Sequence, residues 1–234
     1  MKKFLIISLV FFVTTALHPQ KGFTLTVGAG YGTASRMIPY PRVSDFDLRE
    51  ADVSLGSFLF PQIAVGYSFT DDIEGVLSLE YASKTSEFYG QTVDSDAGTI
   101  FIPVKDGYSF IPFELTLAYT LPFSSESFRL FIGGGGGLYF ISSKREVAGI
   151  KPGSRGSKTG YGIHIVSGID YYLNETTGVS FSMKFRDPEV EFKGEYETVN
   201  GSFNGKPVRL GSPVFNQKLS IEGTLFLLGL KVRL

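Results

Sequence analysis

The stretch 224–234 constrains this chain more than any other. Phe226, Leu228, Leu230, Val232 and Leu234 are large and apolar, and Gly229, Lys231 and Arg233 stand between them. Period two means a strand with one apolar and one polar face. A strand in an ordinary core has little use for two cations in line. A strand with lipid on one side and a wet, charged lumen on the other does. The same alternation recurs along the chain. In 22–32, Phe23, Leu25, Val27, Ala29 and Tyr31 oppose Thr24, Thr26 and glycines. Comparable patterns cover 61–70, 75–85, 108–121, 159–173 and 178–186. In 128–141 the run Gly133 to Gly137 hides the phase. Placing Leu130, Ile132, Leu138 and Phe140 outward is preferred, because Arg129 then turns inward.

The connections between these strands carry the topology. Segments 35–57, 86–107, 142–158 and 187–215 read as long polar loops, and 70–72, 122–127 and 174–177 as short turns. Long and short alternate strictly. Spanning barrels have an even strand count, short periplasmic turns and long external loops. The expected fold is therefore all-β, an eight-stranded antiparallel transmembrane β-barrel with long extracellular loops and both termini in the periplasm. A soluble sandwich needs no such alternation, and a soluble lipocalin-like barrel would turn its apolar residues inward. Aromatics collect at both strand ends. Phe69, Tyr119 and Tyr171 lie near the short turns, and Tyr31, Tyr81, Phe113, Tyr161 and Phe185 near the long loops. Two such girdles suit the two membrane interfaces. Within 187–215, Asn200-Gly201 or Asn204-Gly205 can turn a hairpin above the membrane. Leu219 and Ile221 are out of phase with Phe226 and its successors, so a bulge near 222–224, or pairing outside the membrane, is expected.

The N-terminus explains how such a chain reaches a membrane. Met1-Lys2-Lys3 precedes an apolar run over 4–13 and the small residues Thr14-Thr15-Ala16. This reads as a signal peptide over 1–16, leaving 17–234 as the barrel. The run is too short for a spanning helix. The absence of Cys closes the lipoprotein route and excludes disulfides and thiolate sites. A net charge of −1 argues against nucleic acid.

The signal peptide, the alternating strands and the closing Leu228-x-Leu230-x-Val232-x-Leu234 together resemble small Gram-negative outer-membrane β-barrels of the OmpA/OmpX/OmpW type. The resemblance covers the whole mature chain as a pattern rather than a diagnostic motif. It implies residence in the bacterial outer membrane and folding by the barrel assembly machinery. Phe226, Leu228, Leu230, Val232 and Leu234 would form the assembly signal. Those families usually end in Phe, and this chain departs from them in ending with Leu234.

By phase, Glu80, Lys84, Glu114, Arg129, His164, Asp170, Lys184, Arg186, Lys231 and Arg233 point into the lumen. Eight strands leave an interior just wide enough for side chains to fill. Charges there must pair, because an isolated buried ion costs several kcal/mol. Glu80 and Glu114, on neighbouring strands, are expected to be neutralised by Lys184, Arg186 or other cations reaching across. The resulting network would plug the lumen, and a narrow ion path is its rival. OmpW-type barrels are understood to have an apolar lumen, so a charged one is more similar to OmpX or OmpA. His164 is a poor catalytic candidate. His164-Ile165-Val166-Ser167 lacks the His-x-Ser-Asn pattern of lipid A deacylases, and no cofactor or metal is expected. Lys144, Arg145, Lys151, Arg155 and Lys158 make one outer loop basic, suited to lipopolysaccharide phosphates. Glu189, Glu191, Glu195 and Glu197 make the last one acidic. The expected role is non-enzymatic, in envelope structure or surface interaction, by a monomer among outer-membrane lipids and lipopolysaccharide. The alternative is a small-solute pore or a lipid-modifying enzyme.

Overall fold

The structure, a computed structural model, describes residues 22–42, 52–153 and 157–234. The expected signal peptide and Arg155 lie outside the described residues. The described strands are β1 (Phe23–Gly32), β2 (Arg36–Ile38), β3 (Val53–Ser54), β4 (Phe58–Ser68), β5 (Ile73–Glu80), β6 (Ala82–Ser95), β7 (Gly98–Thr120), β8 (Phe128–Val147), β9 (Ser157–Tyr172), β10 (Thr177–Arg186), β11 (Glu189–Glu195), β12 (Asn200–Phe203), β13 (Lys206–Leu210), β14 (Val214–Ser220) and β15 (Gly223–Arg233). Eight of them close a ring in the order β1, β4, β5, β7, β8, β9, β10, β15, and β15 returns to pair with β1. Every pairing is antiparallel. The ring leaves no free edge inside the bilayer, where an unpaired backbone group would cost several kcal/mol.

The faces follow the alternation. Leu138 is 48% exposed and its neighbour Tyr139 fully buried, so β8 adopts the phase that turns Arg129 inward. The outward aromatics Phe69, Tyr119 and Tyr171 ring the end with short turns, and Tyr31, Tyr81, Phe113, Tyr161 and Phe185 ring the other. Glycines on the inner wall make room for specific groups. Gly30 and Gly32 face Phe60 and Phe58 in register, and those two rings fill the space a Cβ would take. The glycines of β8 permit a backbone approach that no side chain allows: a Cβ on Gly135 would meet the Leu115 carbonyl.

The long loops are where expectation and structure diverge. Segments 86–107 and 187–215 are largely strand, and within 142–158 β8 runs on to Val147. β6, β7 and β8 run on above the barrel as one tall sheet, with β13 and β12 added at the β6 edge. β11, β14, β2 and β3 form a second sheet opposite. Period two continues on the inward side, as in Val104, Asp106, Tyr108 and Phe110, but the outward side changes from apolar to polar once it leaves the lipid. A search for lipid-facing rows therefore stops at the interface, although the hydrogen-bonded ladder does not. The β12–β13 hairpin turns at Asn204-Gly205, both with positive φ (51° and 75°), as a primed two-residue turn requires. Leu219 and Ile221 are buried above the barrel, and β14 pairs with β11 and β2. Between the two sheets lie Val93, Ile102, Val104, Val147, Tyr196 and Leu210. At the barrel mouth, a second apolar layer includes Phe58, Phe60, Tyr108, Phe110, Ile141 and Phe192.

Candidate functional site in the charged lumen

Lys184 and Arg186 lie two residues apart on β10, so both point inward. Glu80 ends β5 and Glu114 sits on β7, across the lumen. Lys184 Nζ donates to Glu80 Oε1 at 2.9 Å and to Glu114 Oε2 at 2.6 Å. One Arg186 Nη donates to Glu80 Oε2 at 2.7 Å and to Glu114 Oε1 at 3.2 Å. Each cation thus bridges both carboxylates. Tyr139 Oη donates to Glu114 at 3.0 Å, and the Arg186 guanidinium lies 4.9 Å from the Phe110 ring centroid. All four ionised residues are buried. Two negative and two positive charges cancel inside the quartet, which offsets much of the cost of desolvating them. His164 is a neighbour: its Nε2 lies 2.8 Å from Thr116 Oγ1.

A second tier sits nearer the periplasm. Lys231 Nζ donates to Glu74 Oε2 and Asp170 Oδ2, both at 2.8 Å, and Thr24 Oγ1 donates to Glu74 at 2.6 Å. Glu74 falls just before the stretch where alternation is legible in the sequence. A cavity of about 90 Å³ separates the tiers, and a vestibule of about 630 Å³ opens below toward the periplasm.

Three expected members stand apart. Lys84 is in phase but above the quartet, where Nζ donates to the Ser57 carbonyl at 2.8 Å. Arg129 lines the vestibule and forms no ion pair among the described residues. Arg233 donates to the Glu175 carbonyl at 3.2 Å and lies 3.6 Å over the Tyr172 ring. For Lys84 and Arg233 the physical reason is height: phase sets the face of a strand, not which opposing carboxylate lies at the same level. Arg129 stands in register with Asp170, but that carboxylate bonds Lys231 instead.

A third polar cluster, in the extracellular extension, is hidden in segments that read as loops. Arg145 donates to Asp106 Oδ2 at 2.9 Å, to Tyr196 Oη at 2.7 Å and to Gln91 Oε1 at 3.1 Å. Gln217 Nε2 donates to Asp106 at 2.9 Å, and Gln217 Oε1 accepts from Ser143 at 3.1 Å. Arg145 therefore does not belong to an exposed basic loop. Burial pushes the Asp106 carboxyl above its usual range, and Arg145 and Gln217 oppose that shift without cancelling it. The alternation Ile141, Ser143, Arg145, Val147 is the signal available in the sequence. Outside, the Arg42 guanidinium grips Glu191 at 2.7 and 2.9 Å and holds that carboxyl below its usual range.

The terminal row Phe226, Leu228 and Leu230 faces outward on β15, while Val232 and Leu234 are half-buried. No protein-family model matches the chain. Its fold is similar to that of the outer membrane protein OprG from Pseudomonas aeruginosa, with a TM-score of 0.63 at 12% identity over 92% of this chain and 96% of that one. Neisserial surface protein A aligns with a TM-score of 0.45 at 14% identity over 92% and 98% of the two chains. In sequence, the chain is 27% identical over 158 residues to the uncharacterized outer-membrane protein y4mB of Sinorhizobium fredii. That match covers 67% of this chain and 62% of y4mB. A closed ring of eight antiparallel strands, greasy outside and ionic inside, together with the likeness in fold to OprG and in sequence to y4mB, gives the chain the architecture of a small outer-membrane β-barrel.

Proposed function

We propose that the barrel does not conduct, and that it acts in envelope structure or surface interaction through its extracellular β extension. The observation that carries this reading is the stacking inside the lumen. From the periplasm inward come the Lys231 tier, the Lys184–Arg186 quartet and the layer of Phe58, Phe60, Tyr108 and Phe110. Above them the two sheets enclose a further apolar core. An ion crossing this stack must force open both charge clusters and then shed its water against aromatic rings. The vestibule opens downward from the tiers, which supports a blind cavity rather than a pore.

A lipid-modifying enzyme fits less well, since His164 is buried against Thr116 inside the wall and faces away from acyl chains. The outward row of Phe226, Leu228, Leu230, Val232 and Leu234 is what the strand offers to the barrel assembly machinery. The barrel works as a monomer among outer-membrane lipids and lipopolysaccharide. Purified protein in planar bilayers is expected to give no steady conductance, and regular open channels would refute the plug. Glu114→Ala, which releases two cations into the quartet, is the variant in which flickering leaks should first appear.

A further inference from the structure

On the lipid-facing side of the tall sheet, four neighbouring strands change character in the same row. Ser83 on β6 pairs with Ser109 on β7, Ser109 with Ser142 on β8, and Ser142 with Ser157 on β9. Two residues below Ser109 and Ser142 are Ile111 and Phe140, both outward and exposed to lipid. The serine row therefore marks the edge of the hydrocarbon. In the next row up, Thr85 and Lys144 flank Gly107, to which both are registered. A Cβ on Gly107 would meet the Lys84 carbonyl and, at 2.8 Å, the Thr85 Cα. Gly107 is buried there, and the β6 backbone takes the place that a side chain would fill.

Beside it lies a surface cavity of about 300 Å³, lined chiefly by Thr85, Lys105, Lys144, Glu146 and Lys151. Three ammonium groups and one carboxylate face it, because the Arg145 side chain turns inward to Asp106. Glu146 accepts Lys151 at 3.8 Å. Lys144 donates to Ser83 Oγ at 2.7 Å and forms no ion pair among the described residues. The opposite sheet differs. There Arg36 pairs with Asp52 and Glu222, Arg42 with Glu191, and Lys218 with Glu189. Its cations are each paired with a carboxylate, whereas here Lys105 stands in register between Glu87 and Glu146, and Lys144 is the cation with no carboxylate partner among the described residues.

We propose that this cavity, with Lys105, Lys144 and Lys151 around it and the serine row below, is a binding site for the phosphorylated headgroup of an outer-leaflet lipid. Height selects the source. Lys144 follows Phe140 by four residues, about 13 Å along a strand and roughly 10 Å above the last apolar row once tilt is allowed for. A lipid phosphate sits there while its acyl chains lie against Ile111, Phe113, Leu138 and Phe140. The hydroxyls donate to phosphate oxygens and the ammonium groups neutralise them. The site deepens the proposed envelope role and rests on it, yet it fails independently. A barrel that ignored phosphorylated lipid could still be silent in bilayers.

The test uses the refolded barrel in a phosphate-free amine-oxide detergent, with the midpoint of heat-modifiable gel migration as readout. Bisphosphorylated lipid A should raise that midpoint, and its dephosphorylated form should not. Each lysine removed should weaken binding roughly fivefold, the equivalent of about 1 kcal/mol. Lys144→Ala and Lys105→Ala should therefore each shift the titration, and together shift it further. Lys206→Ala, at the exposed hairpin, should leave it unchanged. Equal stabilisation by dephosphorylated lipid, or lysine variants that titrate like the parent, would overturn the site. A full effect from inorganic phosphate alone would overturn the headgroup assignment.

Discussion

Lys184→Ala is expected to destabilise the folded barrel by about 3–5 kcal/mol, because it leaves an uncompensated charge in a dry interior. Lys184 bridges Glu80 and Glu114 with bonds of 2.9 and 2.6 Å, and its side chain is only 5% exposed. Without it, Arg186 alone faces two carboxylates. The methyl group left behind fills none of the space, so a cavity adds to the loss. The cost is specific to breaking the set. Replacing Lys184 by Met together with Glu80 by Gln removes one charge of each sign, and should cost clearly less than Lys184→Ala despite altering more atoms. Urea titrations that follow the folded and unfolded gel bands measure both, with far-UV circular dichroism as a check since the chain contains no Trp. A single-variant loss below about 1 kcal/mol would mean water already solvates the quartet, as at an exposed pair.

Neighbouring glycines on β8 should behave in opposite ways. Gly135→Ala is expected to block closure or to cost about 3 kcal/mol or more, as severe overpacking does. Its new Cβ would collide with the Leu115 carbonyl oxygen and lie 2.8 Å from the carbonyl carbon, both backbone atoms of the paired strand β7. Nothing there is a flexible side chain that can swing away. Gly136→Ala points to lipid, where the nearest atom to its Cβ is the Gly162 carbonyl oxygen at 3.4 Å. That variant should fold with a change within about 1 kcal/mol, since alanine also restricts the unfolded chain. The fraction of heat-modifiable protein after refolding separates the two. Equal yields would show that the ladder between β7 and β8 can widen locally, and that the glycine run is not required by close backbone approach.

Much of this molecule is determined by residue order alone. Alternation in 22–32, 61–70, 108–121, 178–186 and 224–234 assigns the outward and inward faces, because side chains on a strand alternate whatever the strand is packed against. Strict succession of long and short connections dictates the topology. Residue order also requires Glu80 and Glu114 to meet inward cations, with Lys184 and Arg186 among the candidates, because an unpaired charge in so narrow a lumen is costly. What only the tertiary structure decided was height and reach. Lys84 and Arg233 share the phase of the network but meet no carboxylate at their own level, Arg129 loses the registered Asp170 to Lys231, and Glu74 completes a tier from a position one residue short of the legible alternation. Asp106 and Arg145 look like loop charges because the outward rows beside them turn polar at the membrane edge. They are buried because two sheets close over them, and closure depends on which strands meet above the lipid, a long-range property that local periodicity does not encode.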